Sequence, residues 1–158
     1  MNDLAIIGIG NLYRSDDAAG WAVIEGLKDR IVNSIKLLKV RGDAAELLDL
    51  FTQYKTVYLV DACQIKAPPG SWQRIDLLIQ PIPEENPQTS THGFGVSQAV
   101  ALAKTLEQLP AKLILYAICG NDYKIGSALT PSVERSVTRV ISEILQEKDI
   151  QACMNRVS

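Results

Sequence analysis

The sequence has few of the residues that would build a disulfide-stapled or nucleic-acid-binding protein. It has 158 residues and three cysteines, at positions 63, 119 and 153. An odd number of cysteines at wide spacing is typical of reduced thiols in a cytosolic protein, rather than of a disulfide framework or a CxxC metal site. The formal net charge of -2 gives no electrostatic reason to expect nucleic acid or an anionic membrane as a partner.

Long apolar runs are also missing. The first run covers residues 4–9 without a basic segment before it, which is too short for a signal peptide, and no later run is long enough to span a bilayer. The remaining composition, 47% hydrophobic and 22% charged, is typical of a globular protein. We therefore expect a single domain over residues 1–158, located in the cytoplasm and large enough to bury a core without staples.

What is present begins with a glycine-rich turn. A short apolar run stops at Gly8 and Gly10, which lack a Cβ and so let the backbone turn sharply and approach a neighbour. Asp16 and Asp17 open the helical pattern that follows, where an acidic side chain favours the positive end of the helix dipole. We expect Asp16 to cap this helix, which leaves Asp17 to point at the edge of the sheet.

Strand and helix patterns alternate along the rest of the chain. Strands are predicted at residues 4–9, 34–40, 56–60, 71–78 and 112–118, and helices at residues 18–31, 44–51, 95–109 and from Thr130-Pro131 onward. No helix separates the third strand from the fourth, which favours an antiparallel edge strand. The predicted fold class is α/β with three layers: a five-stranded, mostly parallel twisted sheet, with one antiparallel edge strand, between helices. We expect the polar tail from Asp149 onward to fray.

Three polar residues are predicted to converge at one edge of this sheet. If the first strand lies between the second and third, the strand order reverses beside it, and open α/β sheets bind ligands at that point. Asp17 follows the first strand, Asp61 ends the third, and His92 opens a helix after a long loop. Two carboxylates and one imidazole suit a divalent cation such as nickel, iron or zinc. In the competing interpretation these residues form no site: Asp17 interacts with the helix dipole, Asp61 is a turn residue and His92 is a solvated residue at a helix start.

Two other kinds of site have weaker patterns. A dinucleotide-binding turn needs a third glycine three residues after Gly10, and Tyr13 stands there. Cys63 or Cys119 could act as a nucleophile with His92 as its base, but buried structural cysteines are common and inert.

Four motifs in series resemble those of the nickel–iron hydrogenase maturation proteases. Residues 8–20 read Gly-Ile-Gly-Asn-Leu-Tyr-Arg-Ser-Asp-Asp-Ala-Ala-Gly, similar to that family's first motif. Residues 60–62, Val-Asp-Ala, resemble the second motif, and residues 90–92, Ser-Thr-His, resemble the third. Gly120, Gly126, Leu129, Pro131 and Val133 are similar to the last motif, although the loop after residue 40 lacks the family's Asp-Gly-Gly-Thr stretch.

The resemblance implies a single hydrogenase maturation protease-like domain. Its function would be that of an endopeptidase that removes the C-terminal extension of a hydrogenase large-subunit precursor after nickel insertion. It implies that Asp17, Asp61 and His92 are both the catalytic and the metal-contacting residues, supported by Gly8, Gly10, Asn11 and Asp16. The nickel would be carried by the substrate, another divalent cation could replace it in a crystal, and no organic cofactor is expected.

The expected partner is the nickel–iron hydrogenase large-subunit precursor, and this protein is expected to be a monomer. Two alternatives remain at this point. One is a non-catalytic nickel-checking module that keeps the fold without cleavage, and the other is a hydrolase that depends on Cys63.

Overall fold

Five strands and five helices account for most of the chain. The computed structural model describes residues 3–10, 15–63, 67–82, 92–120 and 128–156, and the side chains at 15 and 92–94 are outside that description. The strands are β1 (Leu4–Ile9), β2 (Ile35–Val40), β3 (Thr56–Cys63), β4 (Trp72–Asp76) and β5 (Lys112–Cys119). The helices are α1 (Ala19–Leu27), α2 (Ala44–Gln53), α3 (His92–Thr105), α4 (Pro131–Leu145) and α5 (Lys148–Asn155), with a 3₁₀ turn at Ser15–Ala18.

The strands form one sheet in the order β2-β1-β3-β5-β4. All neighbours are parallel except β4, which runs antiparallel to β5 with Trp72 opposite Ile118. This confirms the predicted sheet and its antiparallel edge strand. Since β1 lies between β2 and β3, the strand order reverses between β1 and β3, as predicted.

Helices cover both faces of the sheet, so the fold has three layers as predicted. On one face α1 packs against α4, and on the other α2 packs against α3. Every residue of β1 is buried, as expected for a parallel strand that is covered on both sides. Within the part of the chain that the structure describes, no helix is long and apolar enough to cross a membrane.

The helix boundaries differ from the predictions in α1, α2 and α3, of which α2 ends at Gln53, two residues after the predicted end. The helix α1 begins at Ala19 after the 3₁₀ turn and ends at Leu27, four residues before the predicted end, and no side chain caps its start. The helix α3 spans His92–Thr105 instead of residues 95–109, because Glu107 adopts a left-handed backbone (φ 57°) that stops it earlier. The start of α2 is as predicted, since the Asp43 carboxylate accepts a hydrogen bond from the Glu46 amide at 2.8 Å.

The prediction of a frayed tail is wrong. Residues 148–155 form α5, and Ile150 within it is fully buried. The Asp149 carboxylate accepts a hydrogen bond from the Tyr58 hydroxyl at 2.5 Å and pairs with Lys112 Nζ at 3.0 Å. Asp149 therefore ties this end of the chain to the sheet, which the composition of the tail alone does not reveal.

Candidate functional site

Asp61 lies near the carboxyl end of β3 and is completely buried. Its neighbours Val60 and Ala62 belong to the core beneath α1 and α4, whereas Leu59 and Cys63 belong to the core beneath α2 and α3. Because side chains alternate along a strand, the Asp61 carboxylate is directed to the α3 side of the sheet. The strand continues two residues beyond Asp61, where the sequence predicted its end.

Asp17 lies in the 3₁₀ turn after β1 and is also completely buried. The turn can lie this close to β1 because Gly10 has no side chain. A Cβ on Gly10 would stand closer than 3.0 Å to the Asp17 carbonyl oxygen, a separation that real Cβ atoms essentially never show. Gly10 therefore lets the turn that carries Asp17 pack against the end of β1.

The start of α1 sits directly across the two strands at which the order reverses. A Cβ on Gly20 would stand closer than 3.0 Å to the carbonyl oxygens of both Ile9 and Val60, and a Cβ on Gly8 would meet the Gly20 carbonyl. Backbone thus packs on backbone at this point, and no side chain separates α1 from β1 and β3. The contact brings the turn that carries Asp17 next to the end of the strand that carries Asp61.

Asp16 has a different partner from the one predicted. Its buried carboxylate does not cap α1; it accepts hydrogen bonds from the Thr130 amide at 2.8 Å and from the Thr130 hydroxyl at 2.9 Å. Thr130 stands immediately before α4, so Asp16 satisfies the backbone amide at the start of that helix. Asp16 therefore ties the turn next to Asp17 to the last long helix.

His92 is the first residue of α3, and its imidazole is outside the described side chains. One turn later, a Cβ on Gly95 would stand closer than 3.0 Å to the Gly42 carbonyl oxygen, in the loop that follows β2. Since β2 ends at the carboxyl edge of the sheet, the start of α3 lies at that edge as well. The structure therefore brings Asp17, Asp61 and the beginning of α3 to the same edge.

Two fully buried carboxylates at one sheet edge are an uncommon and costly arrangement. Burying a carboxylate is unfavourable unless hydrogen bonds, protonation or a cation offsets the lost hydration. The donor set fits a divalent cation chemically, because carboxylate oxygens with an imidazole nitrogen suit nickel and its neighbours. Among the described side chains, which do not include the imidazole of His92, no group of three His, Cys, Asp or Glu residues is arranged to hold a metal ion.

The cysteines have surroundings typical of structural residues. Cys63 and Cys119 are 2% and 4% exposed and face the core beneath α2 and α3. The Cys119 thiol donates a hydrogen bond to the Ala67 carbonyl oxygen at 3.2 Å. Buried cysteines that pack in an apolar core are typically inert, which argues against a thiol nucleophile.

The sequence did not indicate the packing role of several residues near the candidate site. Gly20, Gly42 and Gly95 make close backbone contacts, and Thr130 holds the Asp16 carboxylate. Gly20 could have been singled out, since it ends the first motif on a helix face made of small residues. The predicted supporting residue Asn11 lies outside the described residues.

Comparison with known proteins agrees with this architecture. The family model for the hydrogenase maturation protease HycI matches residues 22–147. A curated relative, the hydrogenase expression/formation protein HupD of Thiocapsa roseopersicina, is 26% identical over 91% of this chain, which spans 66% of that relative, just under two thirds. The hydrogenase 2 maturation protease of Escherichia coli is 23% identical over 90% of this chain and 88% of its own length.

A solved structure supports the fold independently. The hydrogenase maturating endopeptidase HybD from Escherichia coli superposes with a TM-score of 0.72 and covers 90% of this chain and 89% of that one. At 20% sequence identity this similarity shows the fold alone. The family model, in contrast, covers most of the chain. The chain therefore belongs to the hydrogenase maturation protease family, a family of peptidases.

Proposed function

We propose that this protein is an endopeptidase that removes the C-terminal extension of a nickel–iron hydrogenase large-subunit precursor after nickel has been inserted. In this proposal the protein acts in the cytoplasm as a monomer. The nickel belongs to the substrate, and the protease recognises it in place. The observation that carries the proposal is the pair of fully buried carboxylates, Asp17 and Asp61, at the strand reversal of a chain that belongs to this family.

Each residue has a defined role in the proposal. Asp17 and Asp61 contact the substrate's nickel through carboxylate oxygens, and His92 contacts it through a neutral ring nitrogen. A nickel ion held there would position the scissile peptide, or polarise its carbonyl group and a water molecule. The buried position of both carboxylates strengthens these interactions, because few water molecules compete at low local dielectric.

The close contacts of the glycines support this assignment. Gly8, Gly10 and Gly20 let three backbone segments meet without side chains between them, which fixes the separation of the two carboxylates. A site that grips a metal ion within a large substrate needs such preorganisation, because a small displacement of a ligand weakens the whole set.

The test is a processing assay on the nickel-loaded precursor from the same cell. The wild-type protein should release the extension, which mass spectrometry detects as a smaller large subunit. Asp61→Asn and His92→Ala should reduce processing by roughly 100-fold or more, as for loss of a ligand group. Asp29→Asn is the matched control, because this exposed carboxylate follows α1 at the opposite edge of the sheet.

Each outcome has a distinct meaning. If wild type leaves every precursor uncut, with nickel bound or absent, the endopeptidase proposal is wrong and the nickel-checking module takes its place. If Asp61→Asn and His92→Ala process normally, the assignment of these residues is wrong. Cys63→Ala should retain activity within roughly threefold, since a buried thiol is not the nucleophile in this proposal.

A further inference from the structure

A cavity rimmed by arginines lies at the same edge of the sheet as the two carboxylates. It has a volume of about 460 Å³ and opens between the start of β4 and the first turns of α4. Ser71 and Trp72 line it on one side, and Ser132, Arg135 and Arg139 line it on the other. None of its lining residues is acidic, and the two arginines are the charged side chains that line it.

The two arginines are arranged to act together. Arg135 and Arg139 are four residues apart on α4, so their side chains leave the same face of the helix about 5–6 Å from each other. Both are exposed, and neither pairs with a carboxylate among the described residues. Guanidinium groups bind carboxylates with two parallel hydrogen bonds, and two of them on one face suit a single anionic group.

The wall opposite the arginines is held by backbone contacts. The Gly70 amide donates to the Cys119 carbonyl at 2.8 Å, and the Cys119 amide donates to the Ser71 carbonyl at 2.7 Å. The Ser136 hydroxyl of α4 donates to the Gly70 carbonyl, and Gly70 adopts a positive φ of 87° that favours glycine. The cavity is therefore formed before any ligand arrives.

The cavity is close to the proposed cleavage site along two routes. Asp61 pairs with Ala117 of β5, which pairs with Gln73 of β4, so the backbone beside the cavity-lining Trp72 is two strand spacings, or about 10 Å, from Asp61. The cavity opens on the α4 side of the sheet and the Asp61 carboxylate on the α3 side, so a chain that reaches both crosses the carboxyl edge. On the other side, Asp16 holds Thr130, two residues before Ser132. A span of about 10–15 Å corresponds to roughly three to five residues of extended chain.

We propose that Arg135 and Arg139 bind a carboxylate of the precursor's C-terminal extension and so align the chain across the carboxyl edge of the sheet. This inference rests on the proposed function. The carboxylate comes from either of two groups of the extension, its terminal carboxyl group or an acidic side chain. The arginines act as specificity-determining residues, because they meet the substrate at a distance from the scissile bond.

The test compares Arg135→Gln/Arg139→Gln with wild type in the processing assay. We expect the KM for the nickel-loaded precursor to rise roughly tenfold while kcat stays within about twofold, because the contact is remote from the reacting bond. Added salt should raise the wild-type KM and have less effect on the double variant. Arg30→Gln/Arg156→Gln is the matched control, since it removes the same charge at exposed positions outside the cavity.

Binding of synthetic extension peptides to the protein identifies the source of the carboxylate. If the terminal carboxyl group is bound, amidating it should lower the affinity of the peptide for the wild-type protein. This loss should equal the loss that Arg135→Gln/Arg139→Gln causes with the unmodified peptide. If a side chain is bound, replacing the peptide's acidic residues with amides should cause this loss instead. Arg135→Lys/Arg139→Lys should recover part of the affinity, because it restores the charge without the paired geometry.

Different results would overturn the role of the arginines and the proposed endopeptidase function. An unchanged KM in a double variant that melts like wild type would overturn the role of the arginines, and so would an equal rise in the control. Absence of processing by wild type would overturn the proposed function instead.

Discussion

Replacing Glu147 with glutamine should loosen the attachment of the C-terminal helix α5. Glu147 stands at the start of α5 and is 11% exposed. Its carboxylate accepts hydrogen bonds from Arg74 at 2.6 Å and 3.1 Å and from the Tyr116 hydroxyl at 2.5 Å. These bonds join α5 to β4 and β5, so the carboxylate links the end of the chain to the edge strand of the sheet and its neighbour.

The size of the effect follows from these contacts. A hydrogen bond to a charged group contributes roughly 1.5–3 kcal/mol, and glutamine keeps one acceptor oxygen of the two. Because the Arg74 side chain is 41% exposed, solvent screens part of its interaction with Glu147. We expect Glu147→Gln to lower the free energy of unfolding by about 2 kcal/mol. The melting temperature should then fall by roughly 4–8 °C in a chain of this size.

The loss should depend on pH. Burial opposes ionisation of Glu147, but the hydrogen bonds from Arg74 and Tyr116 outweigh it and hold the pKa of Glu147 below its ordinary value. A depressed pKa in the folded state gives stability that is present above the unfolded-state pKa, about 4.3, and is lost as the pH falls through the folded-state pKa. The difference between wild type and Glu147→Gln should therefore be smaller at pH 3, below the unfolded-state pKa, than at pH 7.

Thermal unfolding followed by circular dichroism at both pH values measures this difference. Glu143→Gln, an exposed position on α4, is the control and should melt within about 1 °C of wild type. A Glu147→Gln melting temperature equal to that of wild type at pH 7 would refute the reasoning. So would a difference that is as large at pH 3 as at pH 7.

Other predictions concern the segments that hold the candidate site. Gly20→Ala should destabilise the protein by about 3 kcal/mol in urea unfolding, because its methyl group would collide with two backbone carbonyls. Gly26→Ala should cost much less, since its methyl group meets only the flexible end of Ile141; equal losses would contradict the steric argument. Asp16→Ala should lower stability by about 2 kcal/mol and speed hydrogen exchange at the Thr130 amide, whereas Asp16→Asn keeps an acceptor and should lose less. Unchanged exchange at Thr130 in Asp16→Ala would remove the basis for that link.

The sheet could be predicted because its signals are local. The strands β1 and β3 are short apolar runs bounded by turn residues, and the absence of a helix before β4 indicates its antiparallel direction. The edge at which both Asp17 and Asp61 lie then follows from strand order alone. The location of the two carboxylates can therefore be predicted from the fold, without any knowledge of side-chain contacts.

What could not be predicted depends on partners that are distant in the sequence. Asp16 was expected to cap the adjacent helix, but its partner Thr130 is 114 residues away. The tail was expected to fray because it is polar, but Tyr58, 91 residues away, binds Asp149. A polar side chain shows the same composition whether it meets water or a buried hydroxyl, so only the packed structure separates the two cases.

The contacts of Gly8, Gly10 and Gly20 affect how relatives of this protein should be interpreted. These three glycines have no side chain, and the resulting close backbone contacts set the spacing between the segments that carry Asp17 and Asp61. One extra methyl group at any of them would push those segments apart while both aspartates remained in the sequence. A relative with both aspartates intact and one of these glycines replaced is therefore expected to be inactive. A comparison that checked only for the two aspartates would wrongly class such a relative as active.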